Sequence, residues 1–126
     1  MTSNEALFDG RRMLLVEDDY FIADAMLKAL SDAGATVLGP VSSVTEALAL
    51  LDGEPELDSA ILDINLNGEM VFPVADALTD RGIPFLFATG YDEAAVPPMW
   101  RHVMRCEKPV NAAAIARALH PDGNAR

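Results

Sequence analysis

The 126-residue chain predicts an α/β domain built on a five-stranded parallel sheet. Three observations predict it. Five short apolar runs alternate with segments whose apolar residues recur at helical spacing. The runs are apolar almost throughout, as strands buried on both faces are. Glycine and proline punctuate the junctions between them. Strands separated by helices in this way form a parallel sheet with helices on both faces.

The elements follow in order. Met13–Val16 is the first strand. Ile22, Met26, Ala29, Leu30 and Ala33 define a helix over 20–33, with Asp19 as its cap and Gly34 as its stop. A second strand near Thr36–Leu38 is expected to end at Gly39-Pro40. Ser43 and Glu46 have capping-box spacing and open a helix carrying Val44, Ala47, Leu48 and Leu51, which stops at Gly53. The third strand is Ser59–Leu62, and Asn65, Asn67 and Gly68 read as loop residues. The third helix spans about 70–81 and stops at Gly82, with Pro73 tolerated in its first turn. Strand four is Pro84–Ala88 and strand five is Val103–Cys106. Asn111 caps a last helix through Leu119, carrying Ala112, Ile115 and Ala116.

The stretch between Gly90 and Val103 breaks the pattern. Pro97 and Pro98 cannot sit inside a helix, where each costs about 3 kcal/mol. Pro98 can open one helical turn through His102. The helix between strands four and five is therefore expected to be reduced or absent. Met99 or Trp100 should pin this segment to the core, and the segment is expected to be mobile and to carry a switch. Met1–Gly10 and His120–Arg126 lack periodicity and are expected to fray, leaving one domain over 1–126 with an ordered core of about 11–120. For five such units the common strand order is 2-1-3-4-5, the flavodoxin-like arrangement, with a crevice between strands 1 and 3.

Composition excludes several functions. The net charge is −11 and the nine Lys and Arg residues are scattered, which argues against nucleic acid as a partner. No apolar stretch approaches the roughly 18 residues of a membrane span. The polar, acidic start lacks the basic opening of a signal peptide, so a cytoplasmic location is expected. Cys106 is the one cysteine, which rules out an internal disulfide; it reads as a buried, inert thiol. His102 and His120 read as surface residues.

Four polar clusters fall at successive strand C-termini, where open parallel sheets place their sites. Glu17, Asp18 and Asp19 follow the first strand, Asp63 the third and Thr89 the fourth; Lys108 closes the fifth. In the expected strand order Glu17 and Asp18 lie beside Asp63, and the Lys108 side chain is long enough to reach back. Crowded carboxylates repel, and one pKa rises unless a cation compensates. All-oxygen ligation suits Mg2+, or Mn2+, with Asp18 and Asp63 as ligands, Glu17 direct or through water, and the Asn65 backbone carbonyl as a further donor. A carboxylate is also a nucleophile toward phosphorus. Asp63 lies centrally for that role, with Lys108 and the Thr89 hydroxyl placed to neutralise phosphoryl oxygens. Taken singly, each of these residues is commonly a turn, cap or surface residue. Their order along the chain carries the assignment.

Val-Glu-Asp-Asp (16–19), Leu-Asp-Ile-Asn-Leu (62–66), Ala-Thr-Gly (88–90) and Lys-Pro (108–109) together resemble the receiver domain of bacterial two-component response regulators, over about residues 12–119. The resemblance implies that Asp63 is the phosphoacceptor. It implies Glu17 and Asp18 as metal-site acids, Thr89 as the switch hydroxyl and Lys108 as the phosphate-binding lysine. Phe87-Ala88-Thr89-Gly90-Tyr91 further resembles an alphaproteobacterial subgroup named for its Phe-Ala-Thr-Gly motif, often single-domain and linked to histidine kinases. Two positions depart from the family pattern: Arg105 stands where an aromatic switch is usual, and Val110 where an aromatic often follows Lys-Pro.

The resemblance implies a stand-alone receiver in a phosphorelay, a phosphoprotein rather than an enzyme. It would take a phosphoryl group from a histidine kinase or histidine phosphotransfer protein. It would then act by binding a downstream protein or by draining phosphate from the kinase. Two alternatives are a magnesium-dependent phosphatase working through an aspartyl phosphate, and a degenerate receiver that serves only as an interaction module. The first lacks a general acid two residues past the nucleophile, where Asn65 stands. The second sits badly with intact Asp18, Asp63, Thr89 and Lys108.

Overall fold

The computed structural model describes residues 7–53, 56–90, 96–108 and 111–119. Its frame is a parallel sheet of β1 (Arg12–Val16), β2 (Thr36–Val41), β3 (Ser59–Asp63), β6 (Phe85–Thr89) and β7 (Arg105–Glu107). A two-stranded antiparallel hairpin, β4 (Asn65–Leu66) and β5 (Glu69–Met70), stands apart from it. The helices are α1 (Tyr20–Asp32), α2 (Val44–Gly53), α3 (Phe72–Asp80) and α4 (Ala112–Leu119). The sheet order β2-β1-β3-β6-β7 is the expected 2-1-3-4-5, because β4 and β5 do not enter the sheet. Among the described residues no helix is long and apolar enough to cross a membrane.

Strand alternation divides the interior into two cores. Leu14, Val16, Leu62 and Phe87 face α2, α3 and Trp100. Met13, Leu15, Ile61, Leu86 and Ala88 face α1 and α4. The three central strands are buried on both faces, which is why they read as continuous apolar runs. α1 starts where Asp19 Oδ1 accepts the backbone N–H groups of Phe21 and Ile22, at 2.9 and 3.1 Å. It buries Met26 and Leu30, each contributing about 1.5–3 kcal/mol. Asn111 caps α4 as expected, its Oδ1 accepting the Ala114 N–H at 2.8 Å.

Several expectations are corrected. β2 does not stop at Gly39-Pro40 but runs on to Val41. It lies at the sheet edge, where proline removes no interior hydrogen bond. A bulge absorbs the extra residue, since Leu14 pairs with Leu38 but Val16 with Val41. Gly39 is required there: its φ is +105°, and a Cβ would lie 2.7 Å from the Leu15 carbonyl oxygen. The supposed loop after Asp63 is the β4–β5 hairpin. Asn67 and Gly68 both have positive φ, +55° and +92°, as a two-residue type I′ turn demands, and Asn-Gly is the dipeptide that favours it. α3 accordingly begins at Phe72, two residues later than expected, with Pro73 in its first turn. β7 also starts later, because Val103 is held in a turn by its N–H bond to the Trp100 carbonyl at 3.1 Å.

The N-terminal fraying reading is also corrected for residues 7–10. Phe8 is only 2% exposed, and its N–H bonds the Ala33 carbonyl at 2.8 Å. Residues 1–6 and 120–126, including His120, lie outside the described residues. Cys106 is half-buried rather than buried; burial pushes its thiol pKa up, partly opposed by Arg117.

Between β6 and β7 the described residues hold one 3-10 turn, Pro98–Trp100, in place of a full helix, as the two prolines require. Tyr91–Ala95, part of the expected switch segment, lie outside the described residues. Trp100 is the pin: it is 5% exposed, whereas Met99 is 65% exposed. Its ring stacks on Phe72, with centroids 6.2 Å apart and planes 7° apart, and meets Phe85 edge-on. His102 is exposed, as expected, and stacks on the outer face of Trp100.

Candidate phosphoacceptor and metal site

Sheet register brings the acidic residues together. Val16 pairs with Leu62, so Glu17 and Asp63 are the next residues on adjacent strands. The bulge in β2 extends the ladder one step further, with the Glu17 N–H bonding the Val41 carbonyl at 2.9 Å. Asp63 pairs with Ala88, and Thr89 with Glu107. Glu17, Asp63 and Thr89 are all buried, and Asp18 is half-buried.

One carboxylate oxygen from each of Glu17, Asp18 and Asp63 lies within 4.8 Å of the others. Lys108 reaches back as its length allows: its Nζ is 2.8 Å from Glu17 Oε1 and 3.2 Å from Asp63 Oδ1. Glu17 Oε1 is buried and pairs with the Lys108 ammonium, with no further hydrogen-bond donor on it among the described residues. The other oxygen, Oε2, accepts the Asp19 N–H at 3.1 Å. Three crowded carboxylates facing a single ammonium form a set of hard oxygen donors that fits a divalent cation.

Electrostatics agree with this crowding. Asp63 is pushed up to about 7, first by burial, then by the Asp18 carboxyl and the Glu17 charge, against the lowering influence of Lys108. Burial alone would lower the Lys108 pKa, but its bonds and charge pairing with Glu17 and Asp63 raise it overall, so it stays a cation.

The remaining expected residues are placed less directly. The Thr89 carbonyl accepts the Lys108 N–H at 2.8 Å, which ties the two backbones together. Among the described residues its hydroxyl makes no hydrogen bond to Asp63 or Lys108. Asn65 is exposed, and its side chain turns into the hairpin, where Oδ1 accepts the Gly68 N–H at 2.6 Å. Asp19 serves as the α1 cap, as expected. Pro109 and Val110, which follow Lys108, and Tyr91 lie outside the described residues. Glu69 was not anticipated: its carboxylate accepts the Val44 N–H at the start of α2, at 3.3 Å. The Asn-Gly pair just before it was the readable signal for a hairpin at this position.

Comparison with known proteins agrees with this arrangement. No family model matches the chain, and no curated protein matches it. Solved structures do. SdrG from Sphingomonas melonis Fr1 is 39% identical, over 87% of this chain and 93% of that one, with a TM-score of 0.78. The BeF3-activated conformation of SdrG, from Pseudomonas melonis Fr1, is 38% identical over 86% and 92%, with a TM-score of 0.72. The response regulator PhyR from Brucella abortus is 26% identical over 94% of this chain and 51% of its own, at 0.71. The signal receiver domain of a modulated diguanylate cyclase from Desulfovibrio desulfuricans G20 is 26% identical over 87% and 94%, at 0.72. With its sheet order, its acidic crevice and a relative of this identity over nearly the whole length, the chain belongs to the response regulator receiver domains.

Proposed function

We propose that Asp63 is a phosphoacceptor in a two-component phosphorelay. The observation that carries the reading is the convergence, at one strand end, of Asp63 with Glu17, Asp18 and the Lys108 ammonium. Phosphoryl transfer asks a protein mainly for positioning and for neutralisation of charge. Asp63 Oδ attacks the phosphorus of a phosphohistidine on a histidine kinase or phosphotransfer protein. The P–O bond forms as the P–N bond breaks, and the electron pair returns to the imidazole. Attack of water on the acyl phosphate later releases inorganic phosphate and restores the carboxylate.

Glu17, Asp18, Asp63 and the Asn65 backbone carbonyl would hold Mg2+ or Mn2+. Such a cation supplies the positive charge that favours ionised Asp63 and offsets the phosphoryl charge. Lys108 offers a second cation toward the phosphoryl oxygens. Its bond to Glu17 in the resting site keeps it close to Asp63. The Thr89 hydroxyl, on the strand next to Asp63, is the third group. The Phe87–Gly90 motif supports placement in the Phe-Ala-Thr-Gly subgroup. The signal passes to a downstream protein, or phosphate is drained from the kinase.

The test is intact-mass measurement after incubation with acetyl phosphate and Mg2+. The wild type should gain one phosphoryl adduct, and Asp63→Asn should gain none while keeping its fold, because an amide is no nucleophile. A full adduct on the variant would sink the assignment.

A further inference from the structure

The segment after Asp63 is more constrained than a connecting loop needs to be. In an antiparallel pair, bonded and non-bonded residue pairs alternate. The Val71 N–H bonds the Ile64 carbonyl at 2.9 Å, so Ile64 and Val71 form a bonded pair. Leu66 and Glu69, flanking the turn, are of the same kind, and Asn65 with Met70 is the non-bonded pair between them. The main-chain oxygen of Asn65 therefore points out of the hairpin and is not used by its ladder. It lies two residues past Asp63.

A hairpin with two residues per strand is marginal on its own. Asn67 also holds a positive φ that a residue with a side chain adopts at a cost. Three contacts hold the turn in place. Asn65 Oδ1 accepts the Gly68 N–H across it. Leu66 is buried in the core. The Glu69 carboxylate ties β5 to the first N–H of α2. The Asn65 side chain is thus spent within the hairpin rather than aimed at Asp63.

The geometry points to Asn65, through its side chain, and Glu69 as positioning residues that keep the Asn65 main-chain oxygen presented to a cation. The inference rests on the metal-site reading above. Without these contacts the carbonyl is free to turn away, and cation binding must order the segment first. Groups that orient a ligand typically matter about tenfold or more to metal affinity.

The test is calorimetric titration of the whole chain with Mg2+, alongside hydrogen exchange of the Gly68 N–H. Asn65→Leu, similar in size but with no acceptor, should weaken affinity by about tenfold and speed that exchange. Asn65→Asp should hold affinity at or above wild type, since a carboxylate also accepts from Gly68. Glu69→Ala should weaken binding by a smaller factor, and Glu69→Gln should restore it, because its amide oxygen can still accept from Val44. The Glu69 pair decides the matter if Asn65→Leu fails to fold. Wild-type affinity in Asn65→Leu, or an equal loss in Glu69→Gln and Glu69→Ala, overturns the proposal. A wild type that takes up no Mg2+ removes the metal site and the proposal together. A wild type that binds while the variants bind equally well removes the proposal alone.

Discussion

Two segments leave the acidic crevice, and different physics holds each. After Asp63 the chain turns through a hairpin fixed by directional polar contacts, Asn65 to Gly68 and Glu69 to Val44. After Thr89 the described part of the return, Val96–Val103, is held mostly by packing. Val96, Trp100 and Val103 are buried, and the Trp100 ring lies on Phe72 and Phe85. The polar contacts of this return stay within the segment: the Arg101 Nε bond to the Val96 carbonyl at 3.3 Å and the backbone bonds of the 3-10 turn. Hydrogen bonds fix the direction of a backbone oxygen, as a cation site requires. Apolar burial is non-directional, so it fixes where a segment lies and leaves it freer to shift. The two exits meet at the Phe72–Trp100 stack, because Phe72 opens α3 directly behind the hairpin. Among the described residues this stack is an aromatic contact between the exits, while Arg105 on β7 is exposed.

The largest effect expected is on the packed exit. Trp100→Ala should cost about 3–5 kcal/mol in denaturant unfolding, as removal of a buried Trp does. A loss below about 1 kcal/mol would mean that the turn is held by its backbone bonds instead.

Next is a pH effect confined to the polar exit. Asp63 rises from 3.8 to about 7 on folding. Between those values the folded chain binds a proton that the unfolded chain has released. This group's contribution is therefore full below the unfolded pKa and is lost as pH rises through 7, amounting to at most about 4 kcal/mol. Melting of the metal-free wild type should fall relative to Asp63→Asn between about pH 4 and pH 7. Parallel curves for the two proteins would show that Asp63 titrates as an ordinary carboxylate.

Asp18→Asn should weaken Mg2+ binding by about tenfold, while metal-free stability holds or rises as repulsion is relieved. Unchanged affinity by titration would place the metal elsewhere. The smallest effect belongs to Met99, beside Trp100 yet exposed. Met99→Ala should stay within about 0.5 kcal/mol of wild type, and a larger loss would mean that the turn buries more than the Trp100 ring.

Much of the fold was legible because it is encoded locally. Burial on both faces made β1, β3 and β6 readable as apolar runs, Asp19 and Asn111 marked their helices by capping chemistry, and Pro97-Pro98 excluded a helix whatever the context. The candidate site was legible through order: Asp63 and Thr89 end strands, Glu17, Asp18 and Lys108 lie one or two residues past one, and parallel strands share one end. The tertiary structure decided what depends on neighbours distant in sequence. β2 runs through Gly39-Pro40 because it lies at the sheet edge and a bulge fits against Leu15. Phe8 is ordered because a space beside Ala33 receives it. Lys108 takes Glu17 as well as Asp63, which strand order permits but sequence spacing does not state. The hairpin lies between the two cases. Asn67-Gly68 named its turn, but two residues per strand are too few to stand alone, and it was the core under Leu66 and the free N–H at the start of α2 that gave it somewhere to hold.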